Sequence, residues 1–145
     1  MSQFIGMTMP ASFAGELTRG SFDNTTEVKA NDGTNPVQAF GIPVKFNSAS
    51  DAVTPVTAGT DAVIGFSVRV YSQAGLDLNI VTVLKRGYVA VVAPAGETIT
   101  AGMPVYLKTA DGAITSSSSS ANALSGAVFN GPASADGLVE IAYNI

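Results

Sequence analysis

One phrase of this chain occurs twice. Gly41-Ile42-Pro43-Val44-Lys45-Phe46 returns as Gly102-Met103-Pro104-Val105-Tyr106-Leu107, an offset of 61 residues. The offset persists, because Gly65 in Val63-Ile64-Gly65-Phe66-Ser67-Val68 then corresponds to Gly126 in Leu124-Ser125-Gly126-Ala127-Val128-Phe129. With a small deletion, Val81-Thr82-Val83-Leu84 aligns with Val139-Glu140-Ile141-Ala142 as the closing segment of each half. A chain written this way uses one β unit twice, over about residues 37–85 and 87–145. Two such units close a barrel or stack as a sandwich.

Each copy places Gly before X-Pro-Val and then alternates apolar residues. Proline fixes φ and has no N–H to give a ladder, so it suits the first residue of a strand, after which Val44 or Val105 points inward. The glycine inside the later strand suits a bulge or a close backbone approach. From Val37 onward short β-prone runs alternate with turn residues, the pattern of an all-β domain. The expected strands are Val37–Phe40, Val44–Phe46, Val63–Tyr71, Ile80–Leu84, Tyr88–Val92, Val105–Lys108, Gly126–Phe129 and Leu138–Tyr143. Asn31-Asp32-Gly33, Asp111-Gly112 and Asp136-Gly137 are turn sequences. Helix is confined to short turns such as Ser50–Val53, and the five serines at 116–120 read as a surface loop.

Residues 1–35 have a different texture. Phe4, Ile5, Met7, Met9, Phe13, Leu17 and Phe22 are scattered among Gly, Ser, Thr and Asn, and Pro10 closes a weak alternation over Phe4–Met9. An extended N-terminal arm fits this stretch better than a central strand. So apolar an arm either folds back on its own core or docks on a partner chain. The domain reading is therefore an arm over 1–35 and a β domain over 36–145.

Composition removes whole classes of chemistry. With no cysteine and no histidine, thiol nucleophiles, thiolate zinc sites and Ser-His or Cys-His catalysis are unavailable. Seven Lys and Arg against eleven Asp and Glu leave no basic stripe for phosphates, so a nucleic-acid partner is not expected. No run of about 18 apolar residues spans a bilayer, and the opening residues lack a secretory pattern; synthesis in a host cytoplasm without membrane insertion is expected. The hydrophobic fraction of 46% with 12% charged residues supports a packed core.

The acids are spread singly, and Asp32, Asp111 and Asp136 sit in turns that explain them. Asp23-Asn24 and Asn31-Asp32-Gly33 offer oxygen ligands but lack the spaced carboxylates of an EF-hand loop. No phosphate-cradling glycine loop is present, and Asn24-Thr25-Thr26 matches a glycosylation sequon without a secretory context. No catalytic, metal or cofactor residue is expected. Lys85-Arg86-Gly87-Tyr88 is a local positive cluster between the two units, read as a solvated linker or as a salt-bridging contact to an acidic partner.

Ala14-Gly15-Glu16-Leu17-Thr18-Arg19, Phe40-Gly41-Ile42-Pro43-Val44, Val63-Ile64-Gly65-Phe66-Ser67-Val68-Arg69, Lys85-Arg86-Gly87-Tyr88-Val89 and Ala101-Gly102-Met103-Pro104-Val105-Tyr106, in that order and spacing, resemble the structural cement (head decoration) proteins of tailed bacteriophages. The resemblance runs from about Ala14 to the C-terminus. It implies a barrel-like, non-enzymatic subunit that forms dimers or trimers, binds major capsid protein on the outer surface of the virion and reinforces the shell against internal pressure. It transfers no binding residue position by position. The apolar arm residues Phe4, Ile5, Met7, Met9, Phe13 and Phe22 are the expected contacts with capsid protein or a neighbouring subunit. The alternatives are a tail or baseplate β module and a carbohydrate-binding β domain; the absence of Trp weighs against the last.

Overall fold

The computed structural model describes residues 13–20, 22–69 and 79–145. Phe4, Ile5, Met7 and Met9 lie outside them, as does the end of the expected strand Val63–Tyr71. Among the described residues there are nine strands and no helix: β1 Thr25–Ala30, β2 Pro43–Phe46, β3 Val53–Pro55, β4 Gly65–Val68, β5 Ile80–Val92, β6 Pro104–Lys108, β7 Ile114–Thr115, β8 Ala121–Phe129 and β9 Leu138–Tyr143. All pairings between them are antiparallel. They form a sheet of order β3-β2-β4-β5-β9-β8-β6-β7, with β1 attached to β5, curled into a half-barrel.

The order is the same read outward from either side of the β5–β9 pair: β5, β4, β2, β3 in one direction and β9, β8, β6, β7 in the other. Pro43 and Pro104 each open a strand, where a missing N–H is tolerated. The residues before them are built alike. Gly41 N–H donates to Ser67 C=O at 2.6 Å and Ser67 N–H to Ile42 C=O at 2.9 Å; Gly102 N–H donates to Phe129 C=O at 2.7 Å and Phe129 N–H to Met103 C=O at 2.8 Å. Both glycines have positive φ, 74° and 88°, which a side chain would resist.

Two apolar clusters fill the curl. The larger joins Phe66, Val68 and Leu84 to Val89, Val91, Val105, Phe129, Val139, Ile141 and Tyr143; the smaller holds Val37, Val44, Val53, Val81 and Val83. Phe66 and Tyr143 meet edge to face, ring centroids 5.2 Å apart, so the first half of the sheet packs directly on the last strand.

β5 is one strand of 13 residues where the sequence pattern marks two, Ile80–Leu84 and Tyr88–Val92. Lys85, Arg86 and Gly87 are therefore inside a strand and not a linker. Gly87, at φ 139°, is the bend at which β5 exchanges neighbours, from β1 and β4 to β9 and the segment around Leu17. Val37–Phe40 is the converse case: Val37 is buried, yet no strand forms there. The Asn31 side chain takes both backbone groups of Val37, accepting from its N–H at 2.7 Å and donating to its C=O at 3.1 Å, in place of a neighbouring strand.

Candidate docking surface

Residues 13–20 are stitched to β5. Gly15 N–H donates to Ala90 C=O at 2.7 Å, Ala90 N–H to Glu16 C=O at 2.9 Å, and Arg69 N–H to Gly15 C=O at 2.9 Å, while Leu17 pairs with Val89. The approach is close enough that a Cβ on Gly41 would stand 2.7 Å from Gly15 N and 2.9 Å from Ala90 O. Only hydrogen fits there. Residues 13–20 are therefore a fixed root on the sheet.

The root is locked by a buried carboxylate. β9 alternates Val139, Ile141 and Tyr143 into the larger apolar cluster, which turns Glu140 to the opposite face beside Ala90. There it accepts from the Thr18 hydroxyl, from the Asn130 amide and from the Arg19 guanidinium at 3.1 Å. Arg19 also lies over the Tyr88 ring, 4.4 Å from its centroid. The bond to Glu140 raises the Arg19 pKa, burial opposes this, and the nearby negative charge adds to it. Glu140 is the charged member of the run Leu-Val-Glu-Ile-Ala-Tyr, the sequence signal that marks it.

Phe13 and Phe22 are the expected contact residues that fall among the described ones. Phe13 is 37% exposed with the Arg69 guanidinium 5.1 Å from its ring centroid, and Phe22 is fully exposed. They are not alone: Val28, Ile80 and Phe46 are also exposed, as are Val92 and Val128 on the Glu140 face of the sheet. Lys29 reaches over Phe46, 5.6 Å from its centroid. Sequence reasoning passed over Val28, because Thr-Thr-Glu-Val-Lys-Ala carries too little apolar pattern to announce a strand.

The remaining polar candidates hold turns. Asn24, the sequon residue, donates to Arg19 C=O and Gly20 C=O, each at 3.0 Å, and accepts from Tyr88 N–H at 2.8 Å. Asp32 accepts from Asn47 and from Asn35 N–H. Asp61 receives Lys45 at 2.8 Å and the N–H groups of Thr57 and Ala58. The Lys45 ammonium does most to hold its carboxyl at about 2; burial opposes this and the two amides reinforce it. Burial pushes the Glu97 carboxyl up, but the Ser116 N–H, the hydroxyls of Thr115 and Ser116 and the charge of Lys108 outweigh it and leave the carboxyl below its usual range. Lys85, from the positive cluster, pairs with Glu27 of β1 at 3.2 Å. Among the described residues no three His, Cys, Asp or Glu side chains are grouped to hold a metal.

The chain is thus a curled antiparallel half-barrel with the segment at residues 13–20 stitched to its central strand. Its fold is shared with a chain in the solved structure described as the capsid of Myoviridae phage XM1, at a TM-score of 0.66 and 18% identity, covering 94% of this chain and 91% of that one. The family model described as structural cement protein (E217 gp24/Pam3 gp6) matches residues 1–144, and the chain belongs to that family. No curated protein matches it. Membership gives the chain a structural role in the phage capsid.

Proposed function

We propose that this protein binds the outer surface of the assembled bacteriophage shell, contacts the major capsid protein and a second copy of itself, and holds the shell against internal pressure. The family match over residues 1–144 carries this reading. The role is mechanical: no enzymatic step, nucleic acid or membrane enters it.

The geometry supports a division of labour. Residues 36–145, with β1 and the segment at 13–20 joined to β5, supply the body with its twice-used β unit, and the apolar residues among the first 22 supply the contact. The contact is assigned to the apolar residues Phe4, Ile5, Met7 and Met9, together with the exposed Phe13 and Phe22. Contacts of modest strength become durable when an oligomer engages several equivalent sites on a repeating surface.

The test is co-sedimentation of purified protein with capsids lacking it, across a dilution series, followed by heating. The expected result is saturation at a fixed ratio to capsid protein and a raised temperature of DNA release. Unsaturable binding, or saturation with no change in release temperature, refutes the cement role. Deleting residues 1–13 should lower occupancy; unchanged occupancy removes the arm from the contact.

A further inference from the structure

Asn130-Gly131 is the one Asn-Gly dipeptide in the chain. Asparagine before glycine is the pairing most prone to lose its side-chain amide without an enzyme, because glycine has no Cβ to hinder attack by its own nitrogen. The Gly131 nitrogen bonds to Cγ of Asn130, the Gly131 proton leaves with the amide nitrogen as ammonia, and a five-membered succinimide closes. Water then opens the ring at either carbonyl, giving aspartate or isoaspartate. In sum an amide and water become a carboxylate and ammonium, with no other reactant.

The structure leaves one partner in that ring closure free and holds the other. Gly131 lies in a bend beyond the end of β8, where a side chain would meet nothing within 4 Å, and its N–H donates to no acceptor among the described residues. Asn130 is tied to Glu140 at two points: its backbone N–H donates to Glu140 C=O at 2.8 Å, and its side-chain amide donates to the Glu140 carboxylate. Glu140 also accepts from Thr18 and Arg19, so it is itself held in place. Ring closure requires Cγ to move onto the Gly131 nitrogen and the amide nitrogen to depart. An amide nitrogen bonded to a buried carboxylate resists both.

We propose that Asn130 is a site of spontaneous deamidation, that its hydrogen bond to Glu140 sets the rate, and that its conversion opens the lock on the root. The product carboxylate has no hydrogen to donate and faces Glu140 as a second negative charge beside the one guanidinium of Arg19. Isoaspartate also adds a carbon to the backbone at the end of the β8–β9 ladder, where Asn130 is bonded to Glu140. Either product weakens the hold of Glu140 on Thr18 and Arg19.

The full chain, kept folded in mildly alkaline buffer, is sampled over days. Lys108 is the last basic residue, so trypsin releases residues 109–145 as one peptide, and fragment-ion mass spectrometry locates the gain of about one dalton that deamidation brings. The parent should convert more slowly than the same chain in urea. Glu140→Ala, still folded, should convert roughly tenfold faster than the parent, the weight of one hydrogen bond to a charged group. Thr18→Ala takes a different bond from the same carboxylate and should convert at the parental rate. Isoaspartate should exceed aspartate in the product, as opening of a succinimide requires.

Asn130→Asp supplies the product directly. Trypsin should cut its Arg19–Gly20 bond faster than that of the parent, and faster than that of Asn130→Ala, which removes the bond without adding the charge. Equal conversion in the parent and Glu140→Ala, or acceleration of the same size in Thr18→Ala, would overturn the role of the Asn130–Glu140 bond. Cleavage of Asn130→Asp at the parental rate would overturn the opening of the lock.

Discussion

Replacing Glu140 by alanine removes the acceptor shared by Thr18, Arg19 and Asn130. Truncating one member of a buried ion pair costs about 3–5 kcal/mol when the stranded charge has nowhere to go. Here the Glu140 side chain is 5% exposed but Arg19 is 31% exposed, so the stranded guanidinium can turn to water. That reduces the ionic part to the surface value of about 0–1 kcal/mol. The lost bonds from Thr18 and Asn130 add about 1 kcal/mol each. The expected total is about 2–3 kcal/mol, equivalent to roughly 6–9 °C in Tm for a chain of this size.

Urea unfolding gives the energy, and trypsin gives the place. The Arg19–Gly20 bond should be cut faster in Glu140→Ala than in the parent, at denaturant concentrations where both remain folded. An Arg19→Ala/Glu140→Ala cycle should show coupling of about 0.5–1 kcal/mol. A loss below about 1 kcal/mol with unchanged cleavage would refute the reasoning and leave the root held by its backbone bonds to β5 alone.

Other perturbations act on separate parts of the sheet. Phe66→Ala empties a fully buried site and removes the ring that meets Tyr143; chemical denaturation should register about 3–5 kcal/mol. Asp61→Asn should cost about 1 kcal/mol at neutral pH. Because the folded pKa of Asp61 is depressed from 3.8 to about 2, its contribution is complete above the unfolded value and disappears as pH falls through that window. Parent and variant stabilities should therefore converge between pH 4 and 2. Glu97 has the same sign, since its carboxyl is also held low. Glu97→Gln should loosen the start of the serine run, seen as faster amide exchange at Ser116 and Ser117 with little change in global unfolding.

The strands most legible in the sequence are those that meet the core: β6, which buries alternate residues, β2, β4 and β9, the last two buried along their whole length, and each end of β5. β1 escapes the same reasoning because as an edge strand it buries almost nothing, and alternation is written only where one face meets a core. β3 and β7 are too short to carry a period. β8 begins at Ala121 rather than Gly126, since small residues can line a strand without advertising it. Val37–Phe40 shows the reverse error, a β-prone run whose backbone is satisfied by the side chain of Asn31. Of the expected contact residues, Phe13 and Phe22 are exposed, whereas the Thr18–Arg19–Glu140 lock depends on partners about 120 residues apart, as the separations of 121 and 122 show. No local pattern could have joined them.

β5 has neighbours on both sides for most of its length and belongs to both ends of the sheet. Its continuity leaves no seam at which one half could melt while the other stays intact. Denaturation should be a single transition, and the amides of Leu84 and Val89, on either side of the Gly87 bend, should exchange at the same slow rate, through global opening alone. A load applied to one end of the sheet is then resisted by the unfolding free energy of the whole molecule.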